Sequence, residues 1–161
     1  MSRGNFIVLE GGDAAGKKTQ THLLLEHLSS RTVKKFDFPR YERIIGRNIG
    51  RALKGDFGDF LHLHPMLASM LYTLDRVAAK ASLELALTQG DVICNRYTPS
   101  NVAYQAAKLE GEAREVFIRE LEDIEYKELG LPRPTQVLYL DVPPDFSAEL
   151  LRERGPKDQH E

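Results

Sequence analysis

The sequence predicts an α/β fold in which helices cover both faces of a parallel sheet. Short apolar runs suited to strands alternate with longer segments of helical periodicity, which is the pattern of a parallel sheet with helical connections. No internal repeat or low-complexity segment interrupts this alternation. Because 161 residues are enough to bury one core, we expect residues 1–161 to form a single domain.

The individual elements are expected from periodicity and from the positions of glycine and proline. Strands are expected at Phe6–Glu10, Val33–Phe38, Asp91–Asn95 and Gln136–Asp141. Helices are expected from Lys17 to Leu28, within Gly46–Asp59, from Pro65 to about Gln89, and at Asn101–Leu109, Glu112–Leu129 and Pro144–Arg154.

The longest of these helices carries apolar residues at alternating spacings of four and three, which predicts a face turned toward the core. The stripe consists of Leu67, Leu71, Leu74, Ala78, Ala81 and Leu85. Arg76 points away from the stripe, where a charge is usually solvated unless that side faces a pocket. The acid-rich outer face of Glu112–Leu129 is also expected to be solvated.

Composition and charge are those of an ordinary globular protein. The chain is 42% hydrophobic and 29% charged, and its net charge of −2 indicates no general affinity for nucleic acid or anionic membranes. Its one cysteine, Cys94, has no partner for a disulfide, which favours a reducing compartment. No apolar stretch is long enough to span a bilayer, and the first strand begins too early to leave room for a signal peptide. We therefore expect a cytoplasmic protein.

A glycine-rich turn after the first strand carries the strongest functional pattern. The segment Gly11-Gly-Asp-Ala-Ala-Gly-Lys-Lys-Thr19 leads from a short apolar run into the helix that opens at Lys17. Glycines let backbone N–H groups point toward a phosphate, the helix N-terminus adds partial positive charge, and Lys17 would reach the outer phosphates. This pattern predicts a P-loop NTPase-type sheet with a nucleotide at the turn. The alternative is a strand-to-helix turn that needs glycine for its geometry alone.

Arginines follow the ends of two further strands. Arg40 lies in the loop after the second strand and Arg96 directly after the third, at the edge where open α/β sheets bind ligands. Taken alone, Arg40 fits a phosphate or carboxylate contact and a solvated loop charge equally well. The P-loop and both arginines are expected to converge on one edge of the sheet.

These segments together resemble the thymidylate kinases, a family of P-loop nucleoside monophosphate kinases, and most of all their mycobacterial-type branch. The similar stretches are Glu10-Gly-Gly-Asp-Ala-Ala-Gly-Lys-Lys-Thr-Gln20, Phe38-Pro-Arg-Tyr41, Tyr72-Thr-Leu-Asp-Arg76, Asn95-Arg-Tyr-Thr-Pro-Ser-Asn-Val-Ala-Tyr104 and Gly130-Leu-Pro-Arg-Pro134. They occur in the family's order and extend over nearly the whole chain, so they are more specific than the P-loop alone.

The resemblance implies transfer of the γ-phosphoryl group of ATP to thymidine monophosphate, with Mg²⁺ as the metal ion and commonly in a homodimer. It implies that Asp13 lies between the acceptor and the metal. It implies that the ATP phosphates are held by Lys17 and by the loop residues Gly11, Gly12, Ala14, Ala15, Gly16, Lys18 and Thr19.

The resemblance also assigns the acceptor site. Arg40 and Arg96 would hold the acceptor phosphate, and Tyr72 would stack on the thymine. Arg76 and Asn101 would hydrogen-bond the edge of the base, and Tyr104 would crowd the sugar to exclude a ribose. The matching stretches further bring into the expected site Phe38, Tyr41 and Ser100.

The family divides by the source of a transition-state arginine, and Ala14 and Ala15 leave no basic side chain in this loop before Gly16. A lid segment must then supply it. The candidates, in order of expectation, are Arg152 and Arg154, then Lys157.

Three features depart from the family's pattern. Lys18 occupies the usual Ser/Thr metal position, although mycobacterial-type relatives also carry a basic residue there. Asn95 replaces an aspartate that helps to hold Mg²⁺, and Asp141 is the nearest substitute, although a strand-terminal aspartate more often forms a turn. The stretch Asp158-Gln-His-Glu161 resembles the lid's end in relatives that continue through a helix, a strand and a helix, so the chain is expected to lack those elements.

Because of these three departures from the family's pattern, alternative functions stay open. One is a kinase of the same fold for another monophosphate, such as another pyrimidine monophosphate. Tyr72, Arg76 and Asn101 argue against a different acceptor, because together they suit a pyrimidine with an exocyclic oxygen. Another is a non-catalytic or impaired nucleotide-binding homologue or fragment, which has no need of the acceptor arginines.

Overall fold

The structure, a computed structural model, describes residues 3–154 except for the side chains of Pro144, Glu153 and Arg154. The described chain falls into two compact units. The sheet unit comprises residues 3–36, Ala86–Asn95 and 134–154, and the helical unit comprises Asp37–Leu85 and Arg96–Arg133. The single domain expected from chain length is not tested by this division and stays a prediction.

The sheet unit is built on four strands in the order β2-β3-β1-β4. They are β1 (Phe6–Gly11), β2 (Val33–Asp37), β3 (Asp91–Asn95) and β4 (Gln136–Leu140). β1 pairs in parallel with β3 and with β4, and Leu9 lies opposite both Asn95 and Leu138. The carboxyl ends of these three strands therefore lie at one edge, next to the loop that leads into α1 (Lys17–His27). The last helix of this unit is α6 (Pro144–Arg154).

The buried centre of the sheet is formed by β1 and β3, whose side chains are mostly apolar. The buried residues of β1 and β3 include Phe6, Val8, Leu9, Val92, Ile93 and Cys94. Cys94 is a fully buried thiol that takes part in no disulfide, as its place in an apolar run predicts.

The helical unit contains α2 (Ile44–Leu53), a 3₁₀ turn (Phe60–His62), most of α3 (Pro65–Gln89), α4 (Thr98–Ala106) and α5 (Gly111–Glu122). A π-helical segment, Asp123–Glu128, continues α5. One apolar cluster joins Ala52, Phe60 and Ala68, and a second joins Ala106, Phe117 and Leu121. These clusters fix α3 against α2 on one side and against α4 and α5 on the other.

The α/β fold and the order of its elements are confirmed, and the bounds predicted for α3, β3 and α6 agree with the structure. α4 begins at Thr98 instead of Asn101 because Pro99 suits the first turn of a helix. The helix expected at Glu112–Leu129 is α5 followed by the π-helical segment.

The core-facing stripe predicted on α3 is wrong. Leu67 is 64% exposed, Leu74 53% and Leu85 58%, whereas Arg76 on the other side is only 2% exposed. The buried face of α3 carries instead Ala68, Ser69, Thr73, Asp75, Arg76, Ala79 and Leu83. Hydropathy alone selects the wrong face because polar side chains on the buried face satisfy one another by hydrogen bonds.

Candidate functional site

The glycine-rich loop lies at the carboxyl end of β1, as the sequence predicts. β1 ends at Gly11 and α1 begins at Lys17, with Gly16 capping the helix at a φ of 83°. Ala14 also has a positive φ, 58°, a conformation that costs energy in residues with a Cβ. A loop of this shape brings backbone N–H groups and the N-terminus of α1 to one place, which is the arrangement that binds phosphate.

Lys17 is drawn into this loop. Its side chain is 5% exposed, and Nζ donates to the carbonyl oxygens of Gly11 at 3.1 Å and Gly12 at 2.6 Å. The ammonium group is therefore held against the loop backbone, where an anion bound by the loop would meet it. Lys18 and Thr19 are exposed on the first turn of α1, and Asp13 is half-buried in the loop.

Arg40 is held in place by hydrogen bonds to Asp75 and is not a solvated loop charge. Its backbone N–H donates to Asp75 Oδ2 at 2.8 Å, its Nε to Asp75 Oδ1 at 3.1 Å, and its Nη2 to the Asp75 carbonyl at 2.7 Å. Asp75 is buried on α3, and its carboxylate fixes both the loop backbone and the guanidinium. The guanidinium also lies 5.8 Å from the centre of the Phe38 ring.

Arg76 is paired with Glu125 of the π-helical segment. Nε donates to Glu125 Oε2 at 2.9 Å and Nη2 donates to Oε1, and both side chains are almost fully buried. Burial raises the pKa of Glu125, but the charge of Arg76 and hydrogen bonds from Arg76, Thr98 and Thr73 outweigh it and lower the pKa. The expectation that this acid-rich face is solvated is wrong for Glu125, which is 0% exposed.

Asn101 lies in the same buried network. Its Nδ2 donates to the Ser69 carbonyl at 3.3 Å and to Glu125 Oε1 at 3.1 Å. Asn101 is 4% exposed, and within the described structure its Oδ1 is buried without a hydrogen-bond partner.

Tyr72 lies near several of the polar and aromatic residues expected to hold the acceptor. Burial raises its pKa to about 12, and the residues that perturb it electrostatically are Tyr41, Arg96, Tyr104 and Arg76. Its ring packs on Phe60 at 6.3 Å between centroids. The structure thus brings Tyr72 together with other predicted acceptor residues.

Arg96 follows β3 in a left-handed conformation with a φ of 62°. Its Nη1 donates to Ser100 Oγ at 3.2 Å, and its guanidinium lies 5.4 Å from the centre of the Tyr104 ring. Tyr104 is 48% exposed. A strained backbone that aims a charged side chain is a feature of functional sites.

The lid candidates are only partly described. Arg152 is an exposed residue of α6, whereas the side chain of Arg154 and the whole of Lys157 lie outside the described residues, as does the stretch 158–161. Asn95 is half-buried at the end of β3, and Asp141 is exposed after β4. Among the described residues, no group of three or more His, Cys, Asp or Glu side chains is placed to hold a metal ion.

Sequence reasoning missed Asp75 and Glu125, the carboxylates that hold Arg40 and Arg76. A signal for Glu125 was present, because Phe117, Leu121 and Glu125 recur every fourth residue and the first two are buried. Asp75 lies inside the stretch that carries the resemblance but was given no role there.

The fold and the glycine-rich loop together define the class of protein. A parallel sheet whose first strand leads through a glycine-rich, lysine-containing loop into a helix is the architecture of the P-loop NTPases. The sequence model of one protein family, thymidylate kinase, matches residues 9–161. The chain belongs to the thymidylate kinase family.

Individual relatives agree with this assignment. A thymidylate kinase of Mycobacterium tuberculosis is 35% identical over 161 residues, which are 95% of this chain and 73% of the relative. One from Caenorhabditis elegans is 32% identical over 162 residues, covering 92% of this chain and 68% of the relative. The solved structure of thymidylate kinase from Candida albicans superimposes with a TM-score of 0.74 and 26% identity, over 99% of this chain and 72% of that one. No helix in residues 3–154 is long and apolar enough to cross a membrane.

Proposed function

We propose that this protein transfers the γ-phosphoryl group of ATP to thymidine monophosphate and so produces thymidine diphosphate. The observation that carries the proposal is the cluster around Tyr72, which supplies an aromatic face and two arginines within one unit of a P-loop kinase fold. Phosphoryl transfer asks a protein chiefly to position two anions and to neutralise their charge. The arginines, the lysine and the loop are suited to that task.

The donor is assigned to the P-loop. Lys17 and the N–H groups of Gly11–Gly16 and of the first turn of α1 would hold the ATP phosphates. Mg²⁺ is usually held by one or two carboxylates together with substrate phosphates, so the donor set does not require a cage of protein ligands. Asp13 is the carboxylate proposed for it, and the metal, when bound, neutralises charge on the transferring group. Lys18 has no hydroxyl to offer the metal, so the phosphates would supply more of the contacts to Mg²⁺.

The acceptor is assigned to the helical unit. Arg40 and Arg96 would hold the phosphate, with Ser100 orienting Arg96 and Phe38 supporting Arg40. Tyr72 and Tyr41 would supply the aromatic walls at the base, and Tyr104 would crowd the sugar. Arg76 and Asn101 would contact the edge of the base. The transition-state arginine is proposed to be Arg152 or Arg154.

We also propose a cytoplasmic homodimer that packs through the exposed apolar side of α3. Leu67, Leu74 and Leu85 lie more than half exposed along this helix, and such a stripe is typical of a surface covered by another protein. Leu74→Glu should convert a dimer to a monomer in sedimentation experiments, with Glu115→Lys on the exposed side of α5 as a control. A protein that sediments as a monomer before mutation would remove this part of the proposal.

The activity is tested by coupled measurement of ADP release with ATP and Mg²⁺. The acceptors compared are thymidine, deoxyuridine, uridine, cytidine and adenosine monophosphates, with calorimetric binding of each. Selective turnover of thymidine monophosphate is expected. Turnover of another pyrimidine monophosphate in preference would favour the kinase of different specificity, and selective binding without turnover would favour the impaired homologue.

Arg96→Ala tests whether Arg96 binds the acceptor phosphate and not the donor. The variant should lose activity by about a hundredfold or more while donor binding changes little, because the guanidinium is assigned to the acceptor phosphate. Arg119→Ala removes an exposed arginine of α5 and serves as the matched control. Equal losses of activity and of ATP binding would remove Arg96 from the acceptor site.

A further inference from the structure

Glu125 is a buried carboxylate that receives an unusual number of hydrogen bonds. Arg76 donates to both of its oxygens, Thr73 Oγ1 donates to Oε1 at 2.7 Å, and Thr98 Oγ1 donates to Oε2 at 2.6 Å. Asn101 Nδ2 donates to Oε1 at 3.1 Å. An ionised carboxylate only accepts hydrogen bonds, so every group around Glu125 must turn a donor toward it.

The backbone at Glu125 is also constrained. The residue lies in the π-helical segment Asp123–Glu128, and its carbonyl accepts a hydrogen bond from Leu131 N at 2.9 Å. π-helical turns are rare and often occur at functional sites. Glu125 follows the buried Phe117 and Leu121 at spacings of four, so a carboxylate takes a position on this face where an apolar side chain is the usual occupant.

The first consequence concerns Arg76. A bidentate contact through Nε and Nη2 fixes the plane of the guanidinium and occupies one of its edges. The remaining Nη1 donors then lie on a different side of the group from Glu125. Arg76 therefore offers N–H donors in a direction that Glu125 determines.

The second consequence concerns Asn101. Both groups that contact its amide, the Ser69 carbonyl and Glu125 Oε1, are acceptors, so the amide nitrogen must face them. The carbonyl oxygen Oδ1 must then point elsewhere, and within the described chain it is buried without a partner. A buried acceptor left without a donor is costly unless a ligand supplies one.

We propose that Glu125 is a positioning residue that sets the specificity of base recognition, by making Arg76 present a donor and Asn101 an acceptor. The inference rests on the proposed function, in which Arg76 and Asn101 contact the base. Arg76 and Asn101 both donate to Glu125 Oε1, so they are neighbours. A donor and an acceptor presented by neighbouring residues match a base that has a carbonyl oxygen next to a ring N–H, as thymine and uracil do. Cytosine carries an amino group and an unprotonated ring nitrogen at the same positions, so it meets both protein groups with the wrong polarity.

Glu125→Gln tests this because it keeps the shape and replaces one acceptor oxygen by an NH₂ donor. Whichever end of the new amide carries the nitrogen, Arg76 loses one of its two bonds. Where the nitrogen replaces Oε1, Asn101 also loses its acceptor at this residue and is held only by the Ser69 carbonyl. Glu128→Gln makes the same chemical change at an exposed position of the same π-helical segment and is the matched control. Glu125→Asp keeps the charge and is the conservative variant.

The expected result is a change in substrate binding and selectivity with little change in turnover. For Glu125→Gln, KM for thymidine monophosphate should rise about tenfold while kcat changes less than about threefold. The ratio of kcat/KM for thymidine monophosphate to that for deoxycytidine monophosphate should fall about tenfold, because the polarity of the edge is no longer enforced. Glu125→Asp should retain more of this selectivity than Glu125→Gln, and Glu128→Gln all of it.

The outcomes separate this inference from the proposed function. If the unmutated protein does not phosphorylate thymidine monophosphate, the proposed function fails. If it does, and Glu125→Gln lowers thermal stability with the selectivity unchanged, Glu125 is structural only and the inference is overturned. Should Glu125→Gln not fold, the same selectivity is measured for Glu125→Asp, whose shorter side chain cannot reach all its partners, and unchanged selectivity there overturns the inference equally.

Discussion

The carboxylate of Asp75 holds Arg40 at two levels, through the backbone N–H at 2.8 Å and through the guanidinium Nε at 3.1 Å. Asp75 is 1% exposed, while the Arg40 side chain retains 15% exposure. The anchor is therefore buried and the anchored group reaches the surface. Such a contact fixes where the remaining N–H donors of Arg40 point, which is what a phosphate contact requires.

Asp75→Asn should weaken acceptor binding. The amide keeps one acceptor oxygen but loses the charge, so Arg40 is held less firmly in its orientation. We expect KM for thymidine monophosphate to rise about tenfold and the free energy of unfolding to fall by about 1–3 kcal/mol, measured by steady-state kinetics and urea denaturation. The matched control is Asp56→Asn, which disrupts the exposed Arg51–Asp56 pair and should change either quantity little. Equal effects at the two positions would contradict the role given to Asp75.

Gly46 sets how closely α2 approaches the loop that carries Arg40. A Cβ built on Gly46 lies 2.0 Å from the Arg40 carbonyl oxygen, so Gly46→Ala must displace either the helix or the loop. We expect a loss of about 1–3 kcal/mol in the free energy of unfolding, together with a higher KM for the acceptor.

Gly50→Ala provides the comparison for that change within the same helix. Its Cβ would meet only the Tyr41 ring, at 3.5 Å, which is ordinary contact. Because alanine favours helix over glycine, Gly50→Ala should leave stability unchanged or raise it by up to about 1 kcal/mol. The prediction fails if thermal and urea unfolding rank the two variants in the opposite order.

Tyr72 should contribute to instability at high pH. Burial raises its pKa to about 12, so as the pH rises above the ordinary tyrosine value of about 10 the unfolded chain loses this proton before the folded protein does. The free energy of unfolding then decreases between about pH 10 and 12. Tyr72→Phe has no proton to lose, and its stability should fall less steeply over that interval than that of the parent.

Urea denaturation of both proteins across the pH range measures this difference. From pH 7 to 9 the two should differ by a constant amount, since the phenol is protonated in both states of the parent there. Parallel curves through pH 12 would show that the phenol is not shielded as the structure indicates.

Local patterns in the sequence were sufficient for the fold and for the P-loop. The glycine spacing before Lys17, the proline at the start of α3 and the glycine after Gln89 each determine nearby backbone, so their consequences can be read within a few residues. The acceptor residues were found through a resemblance spread over several stretches. Their proposed roles remain predictions.

The supporting carboxylates could not be found in the same way. Arg76 and Glu125 are 49 residues apart, and only the packing of the helical unit brings them together. The burial of a charge also depends on its partner, because a paired arginine can occupy a face that hydropathy assigns to leucine. For that reason hydropathy favoured solvent for Arg76, unless its side of the helix faced a pocket, and the core for Leu74, whereas the structure buries Arg76 and exposes Leu74.

The backbone of Arg96 offers a test that separates strain from side-chain function. With a φ of 62°, Arg96 occupies a conformation that glycine adopts freely and other residues do not. Arg96→Gly should therefore be more stable than Arg96→Ala by about 0.5–1 kcal/mol, although both lack the guanidinium and should lose acceptor binding to a similar degree. At Arg119, in the regular helix α5, the order should reverse, with alanine more stable than glycine by about 1 kcal/mol.

Urea denaturation of the four variants and calorimetric binding of thymidine monophosphate measure both effects. If alanine is the more stable residue at both positions, the left-handed backbone at Arg96 is refuted; if Arg96→Gly binds the acceptor much better than Arg96→Ala, the backbone and not the guanidinium governs binding.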